Sequence, residues 1–208
     1  MKIALIIATL VVTASTADAQ FLKIDNGIVV SSFNNSRDLP YLYSDATSSY
    51  SVSLGADYLT TDFFYVSSQI GYMAIGGREN GTLSDLETQN DVVLNTSEKA
   101  HYVHFNTTLR AFISRDNGMK FFIGIGPYLN ILAGNQRFDS PAFEGFDDFE
   151  NIYAGGKGEL GITHDLNNLR IGLVGSYMPS LSSPVKSEVI SLNSNAYSLM
   201  FTTGYHIR

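Results

Sequence analysis

Eight stretches of this chain alternate apolar with polar or small residues, and the connections between them switch regularly between tight turns and long loops. No other feature limits the fold as strongly. Strands are expected at about 22–33, 50–59, 63–77, 99–114, 120–136, 152–165, 169–180 and 195–207. Three connections are tight: Thr60-Thr61-Asp62, Asp116-Asn117-Gly118-Met119 and Leu166-Asn167-Asn168, each with the Asn, Asp or Gly that a hairpin turn favours. Four are long, at about 34–49, 78–98, 137–151 and 181–194. Strict alternation puts every tight turn at one end of an up-and-down barrel and every long loop at the other, which is how membrane-spanning barrels sort their connections.

The two-residue period also assigns faces. In the fifth stretch Phe121, Ile123, Ile125, Pro127, Leu129 and Ile131 share one side, against Phe122, Gly124, Gly126, Tyr128 and Asn130 on the other. In the fourth, His101, Val103, Phe105, Thr107, Leu109, Ala111 and Ile113 oppose Tyr102, His104, Asn106, Thr108 and Arg110. Leu169, Ile171, Leu173, Gly175 and Tyr177 oppose Arg170, Gly172, Val174, Ser176 and Met178, and the last stretch sets Tyr197, Leu199, Phe201 and Tyr205 against Ser198, Met200, Thr202 and His206. A barrel in lipid puts the apolar side outward; a soluble lipocalin-like barrel would exchange the sides. Aromatic residues near strand ends, such as Tyr58, Phe63, Phe64, Tyr72, Phe121, Tyr177 and Tyr205, suit interfacial girdles. Pro127 lacks a ladder donor, and a bulge is expected there.

The first nineteen residues read as an export leader: Lys2, an apolar run over Ile3 to Val12, and the cleavage pattern Ala17-Asp18-Ala19. Residues 20–208 then form one barrel domain. No later run is long and apolar enough for a membrane helix. The chain has no Cys, so no disulfide supports it, and 12 Tyr, 13 Phe and 18 Gly fit a barrel wall. A net charge of −7 argues against nucleic acid as a partner.

Asp57, Gln69, His104, Asn106, Arg110, Lys157, Glu159 and Arg170 fall on inward faces. Ionised groups in a narrow lumen must pair, so Arg110, Lys157 and Arg170 are expected opposite Asp57 and Glu159. Such a network plugs the barrel structurally, or it lines a narrow conductance or a ligand pocket. The four His are dispersed, and neither a metal site, a cofactor nor a catalytic group is expected. The third long loop mixes acids with aromatics: Phe143, Glu144, Phe146, Asp147, Asp148, Phe149 and Glu150. It either folds over the barrel mouth or offers the three Phe as anchors, with the acids meeting divalent cations or a basic partner.

From the Lys23-to-Phe33 opening strand to the Tyr197-to-Arg208 closing strand, the sequence resembles the small outer-membrane β-barrel family of Bacteroidetes that includes PorT-like proteins, and more remotely OmpA- and OmpX-type barrels. It departs from proteobacterial barrels in ending on Arg208 rather than Phe. The resemblance implies an integral outer-membrane protein handled by the barrel assembly machinery and bedded in outer-membrane lipid and lipopolysaccharide. PorT-like members are implicated in protein secretion. A structural or binding role through outer loops, with a surface protein or ligand as partner, is the first expectation. A small channel or secretion component is the second, and a soluble periplasmic binding barrel the third.

Overall fold

The computed structural model describes residues 21–35, 43–84, 91–115, 117–134, 149–186 and 191–207. The expected leader lies outside the described residues, as does most of the third long loop. The strands are β1 (Phe21–Asn35), β2 (Thr47–Tyr58), β3 (Phe64–Ser84), β4 (Asp91–Ser114), β5 (Met119–Leu132), β6 (Ile152–Leu166), β7 (Leu169–Pro179), β8 (Val185–Lys186) and β9 (Ser191–His206). Every pairing is antiparallel, and the order runs β1 to β7 in sequence and then to β9, which pairs back with β1. Eight long strands thus close a barrel. The two-residue β8 is an addition at the rim, folded from the β7–β9 connection onto the start of β9 through Val185↔Leu192 and Lys186↔Ser191.

Closure runs the length of β1, from Phe21↔His206 to Asn35↔Leu192. The barrel is staggered. A row of partners leaves β1 at Lys23, passes Gly55, Gln69, Asn106, Tyr128, Gly155 and Ser180, bonds across to Ser194, and re-enters β1 at Phe33. That offset tilts the strands, and at this strand number it leaves a lumen only wide enough for side chains.

All three tight connections are hairpin turns at one end. Gly118 closes the β4–β5 turn with φ of 82° and donates its N–H to Arg115 O at 3.0 Å, a conformation that residues with a Cβ adopt at a cost. Asn167 takes φ of 54° in the β6–β7 turn, as Asn readily does. The β2–β3 turn departs from expectation, because its left-handed residue is Leu59, at φ of 51°. Thr61 stabilises that turn: its Oγ1 accepts from the N–H groups of Phe63 and Phe64 at 3.4 and 3.2 Å.

One sequence expectation changes. β5 carries no bulge at Pro127: Asn106↔Tyr128 and Leu109↔Ile125 keep one register, and bridging to β4 simply lapses between them. A missing N–H breaks a ladder bond without adding a residue, and Gly126 lets the backbone approach there so closely that a Cβ would lie 1.8 Å from Thr107 O. The second long loop is largely strand, since β3 and β4 continue as a paired hairpin to Ser84↔Asp91.

Exposure along the wall is inverted relative to a water-soluble barrel. Ile123, Ile125 and Leu160 are 68%, 72% and 68% exposed, while Arg110 and Glu159 are 1% and 4% exposed. Leu22, Ile24, Leu54, Ile70, Leu109, Leu173 and Phe201 extend the same apolar band around the outside. Soluble monomers rarely expose contiguous apolar patches beyond a few hundred Å²; a wall of this kind is stable against hydrocarbon. Phe64, Phe121 and Tyr205 edge the band near the tight turns, and Tyr50, Tyr72, Tyr177 and Tyr197 edge it toward the long loops. Tyr177 and Tyr197 stack at 4.9 Å. Leu160 sits near the middle of this band on β6 and Ile113 at its turn-side edge on β4. Replacing Leu160 with Arg is expected to destabilise the lipid-embedded barrel by about 2–4 kcal/mol, against about 0–1 kcal/mol for Ile113→Arg, as read from denaturant unfolding in vesicles.

Candidate functional site: a sealed, charge-lined lumen

The inward residues of β1, β2, β3, β4, β6 and β7 meet in the half of the lumen nearer the tight turns. Arg110 on β4 donates from Nε to Glu159 Oε1 on β6 at 2.6 Å, and Thr108 Oγ1 donates to the same oxygen at 2.5 Å. Gly124 makes room between them: a Cβ there would stand 2.9 Å from Glu159 Oε1 and 3.0 Å from Arg110 Cγ. Lys157, two residues from Glu159 and so on the same face, reaches Glu159 Oε2 at 3.1 Å. Its Nζ also donates to Asn106 Oδ1 at 3.3 Å and Gln69 Oε1 at 3.4 Å.

Gln69 links this group to a second one. It accepts from Asn106 Nδ2 at 3.1 Å and donates from Nε2 to Asp25 Oδ2. Lys23 lies 3.7 Å from Asp25 and 3.3 Å from Asp57, and Arg170 Nη1 donates to Asp57 Oδ2 at 2.9 Å. Arg170 also donates from Nε to Asp165 Oδ1 at 2.6 Å, and Asp165 meets Lys120 at 3.0 Å nearer the mouth. The guanidinium groups use their flat faces as well: that of Arg110 lies 4.5 Å from the Phe122 ring centroid, and that of Arg170 lies 3.7 Å from that of Phe21. Cation–π contact of this kind strengthens in a desolvated setting.

Toward the long loops the lumen turns apolar. Tyr102 and Tyr153 meet edge-on at 5.0 Å, Tyr128 packs edge-on against Tyr153 at 6.1 Å, and Phe33 lies 6.4 Å from Phe149. Val29, Tyr43, Ile75, Val185 and Leu192 fill the space around them and are all buried. The barrel is therefore closed twice, by paired charge below and by rings above.

Asp57, Gln69, Arg110, Lys157, Glu159 and Arg170 stand in one connected network. His104 is buried beside it and pairs instead with Asn130 Oδ1, at 2.6 Å from Nδ1. Lys23 and Asp25 escaped the sequence reading, although their signal was available: they alternate with Leu22 and Ile24, which face out at 52% and 48% exposure. The loop residues divide differently. Phe143, Glu144, Phe146, Asp147 and Asp148 lie outside the described residues, Glu150 is half-buried at the rim, and Phe149 is turned inward, which suits the reading of a loop folded over the mouth and not that of an exposed anchor at 149. Phe149 is 2% exposed, bridges to Val185 and caps the ring layer from within. An aromatic at the mouth of an apolar pocket gains more by entering it than by remaining in water.

Neither a family model nor a curated protein matches the chain. Solved structures do. Neisserial surface protein A aligns with a TM-score of 0.56 at 12% identity, over 92% of this chain and 99% of that one. The outer membrane protein AlkL, determined in lipid bilayers, aligns with a TM-score of 0.52 at 12% identity, over 91% and 90%. The fold is that of the small outer-membrane β-barrels. At such low identity the likeness is one of architecture, and it agrees with the apolar outer wall found here.

Removing one partner of a buried pair strands the other's charge at a cost of about 3–5 kcal/mol, whereas replacing both with well-packed apolar groups is often neutral. Arg110→Ala and Glu159→Gln are each expected to lower unfolding stability substantially. The double variant Arg110→Met, Glu159→Leu is expected to recover most of that loss, measured as urea midpoints in detergent with folding read from heat-modifiable gel migration.

Proposed function

We propose that this chain is an integral outer-membrane barrel that works through its long-loop rim, as a binding or structural protein, and that it neither conducts solutes nor carries out catalysis. The observation behind this reading is the double closure of the lumen. A solute entering from the long-loop side meets the Tyr102–Tyr153–Tyr128 cluster, and one entering from the turn side meets Arg170 and Lys23 bound to Asp57. Opening either layer would break several pairs at once. The rim, in contrast, carries the paired β3–β4 hairpin, exposed Arg78 and Lys99, and the approach to the acidic third loop.

Binding sites commonly sit on loops held by a rigid scaffold, and this barrel is rigid to its last rows. Cationic side chains such as Arg78 and Lys99 near the rim suit phosphate groups of lipopolysaccharide, and the acidic third loop suits divalent cations or a basic surface protein. The membership suggested by the strand and loop pattern, among PorT-like barrels of Bacteroidetes exported by a leader at 1–19, belongs to the same proposal. A secretion role would then be exercised through contacts at the rim and not through the lumen.

Purified barrel reconstituted into planar bilayers is expected to give no stable open conductance level at any applied voltage below membrane breakdown. A reproducible single-channel step from heat-modifiable, monodisperse protein would replace this reading with that of a small channel.

A further inference from the structure

Between the charged layer and the ring layer lies a third kind of chemistry. The chain has five Met, and three of them, Met73 on β3, Met178 on β7 and Met200 on β9, are buried in the lumen at 2%, 3% and 8% exposure. With His104 from β4 they line one lumenal cavity of about 20 Å³. That is room for a single water-sized occupant. Three Met and one His, from four separate strands, thus line one small space, together with hydroxyls such as those of Ser51 and Ser198.

The imidazole is set up to receive something. His104 Nδ1 lies 2.6 Å from Asn130 Oδ1, and an amide oxygen only accepts, so Nδ1 carries the proton and Nε2 keeps its lone pair. A metal-binding His is typically oriented in this way, by a hydrogen bond from its other ring nitrogen. Two charged side chains share the cavity lining, Asp25 and Lys157: Asp25 meets Lys23 and Gln69 through Oδ2 and leaves Oδ1 without a hydrogen-bond partner, and Lys157 is paired with Glu159. Hard divalent cations prefer clustered carboxylate and carbonyl oxygens, and the cavity lining supplies a single carboxylate, Asp25. Thioether sulfur selects soft, monovalent ions.

We propose that Met73, Met178, Met200 and His104 bind one soft monovalent metal ion, Cu(I) or Ag(I), in the middle of the lumen. Packing alone is the competing account, because Met also fills irregular gaps. The two differ in what Leu does. Met→Leu nearly conserves volume and costs little where only packing counts, but it removes the sulfur ligand.

The lumen is closed at both ends, so the probe must be present while the barrel forms. The full chain refolded from urea into detergent with Ag(I), then freed of excess metal, is expected to retain one equivalent by elemental analysis. X-ray absorption should place sulfur neighbours around the silver. Competition with a chromophoric Cu(I) chelator should give the same stoichiometry, and the double variant Met73→Leu, Met178→Leu should bind at least a hundredfold more weakly while keeping heat-modifiable migration. Met119→Leu, outside the cavity, should bind as the parent does. The proposal is overturned if folded protein retains well under a tenth of an equivalent. It is equally overturned if the folded double variant retains a full equivalent, which would assign the metal to surface His.

Discussion

Everything in this molecule follows from the closing pair, β1 against β9. Inside a bilayer an unpaired backbone N–H or C=O costs several kcal/mol, with no water to satisfy it. An open eight-strand sheet would leave two edges in that condition. The fifteen-residue β1 pairs along its length with β9, and no edge of the wall remains. Once the ring is closed, the strands must tilt by the offset that carries Lys23 round to Phe33. Tilt and strand number together then fix how wide the lumen is, and the side chains have to solve whatever space is left.

They solve it in layers. Near the tight turns the lumen receives charged groups from five strands, and each of them has an opposite charge nearby. Buried ion pairs are poor contributors to net stability, because desolvation offsets most of their attraction. Their value here is in specificity. Arg110 finds Glu159 only if β4 and β6 sit on either side of β5 in the present register, and Arg170 finds Asp57 only if the barrel has closed through β9 and β1. A strand slipped by one residue would turn these charges into hydrocarbon. Mispaired barrels are penalised far more heavily than the correct one is stabilised.

The wall was legible in the sequence and the plug only partly so. Alternation such as Phe121, Ile123, Ile125 against Phe122, Gly124, Tyr128 needs nothing beyond the two-residue period, and the alternating loop lengths supply the ends. Lys23 and Asp25 were equally periodic, alternating with Leu22 and Ile24, yet the first strand was not divided into faces and they stayed unassigned. Pro127 misled because its chemistry predicts a lost hydrogen bond but not how the chain accommodates it. Phe149 stood between two readings, folded over the mouth or exposed as an anchor, and only the shape of the barrel mouth, with room for a ring between Phe33 and Val185, separates them. The two-residue β8 likewise depends on a partner that the local pattern does not name.

A lumen divided into ionic, thioether and aromatic layers also limits where function can reside. Each layer is held by residues from strands far apart in sequence, so a displacement of one strand disturbs all three together. Gradual opening is therefore disfavoured, since the first few ångströms of movement would separate Arg110 from Glu159 and Tyr102 from Tyr153 before any path for water existed. The rim is under no such restriction. β3 and β4 run beyond the band of exposed Ile and Leu as a paired hairpin, bridged at Arg78 to Asp45, and the connection from β7 folds back as β8 without entering the ring. Sequence change at the rim leaves the wall's pairings in place, and the barrel below turns its charged chemistry inward.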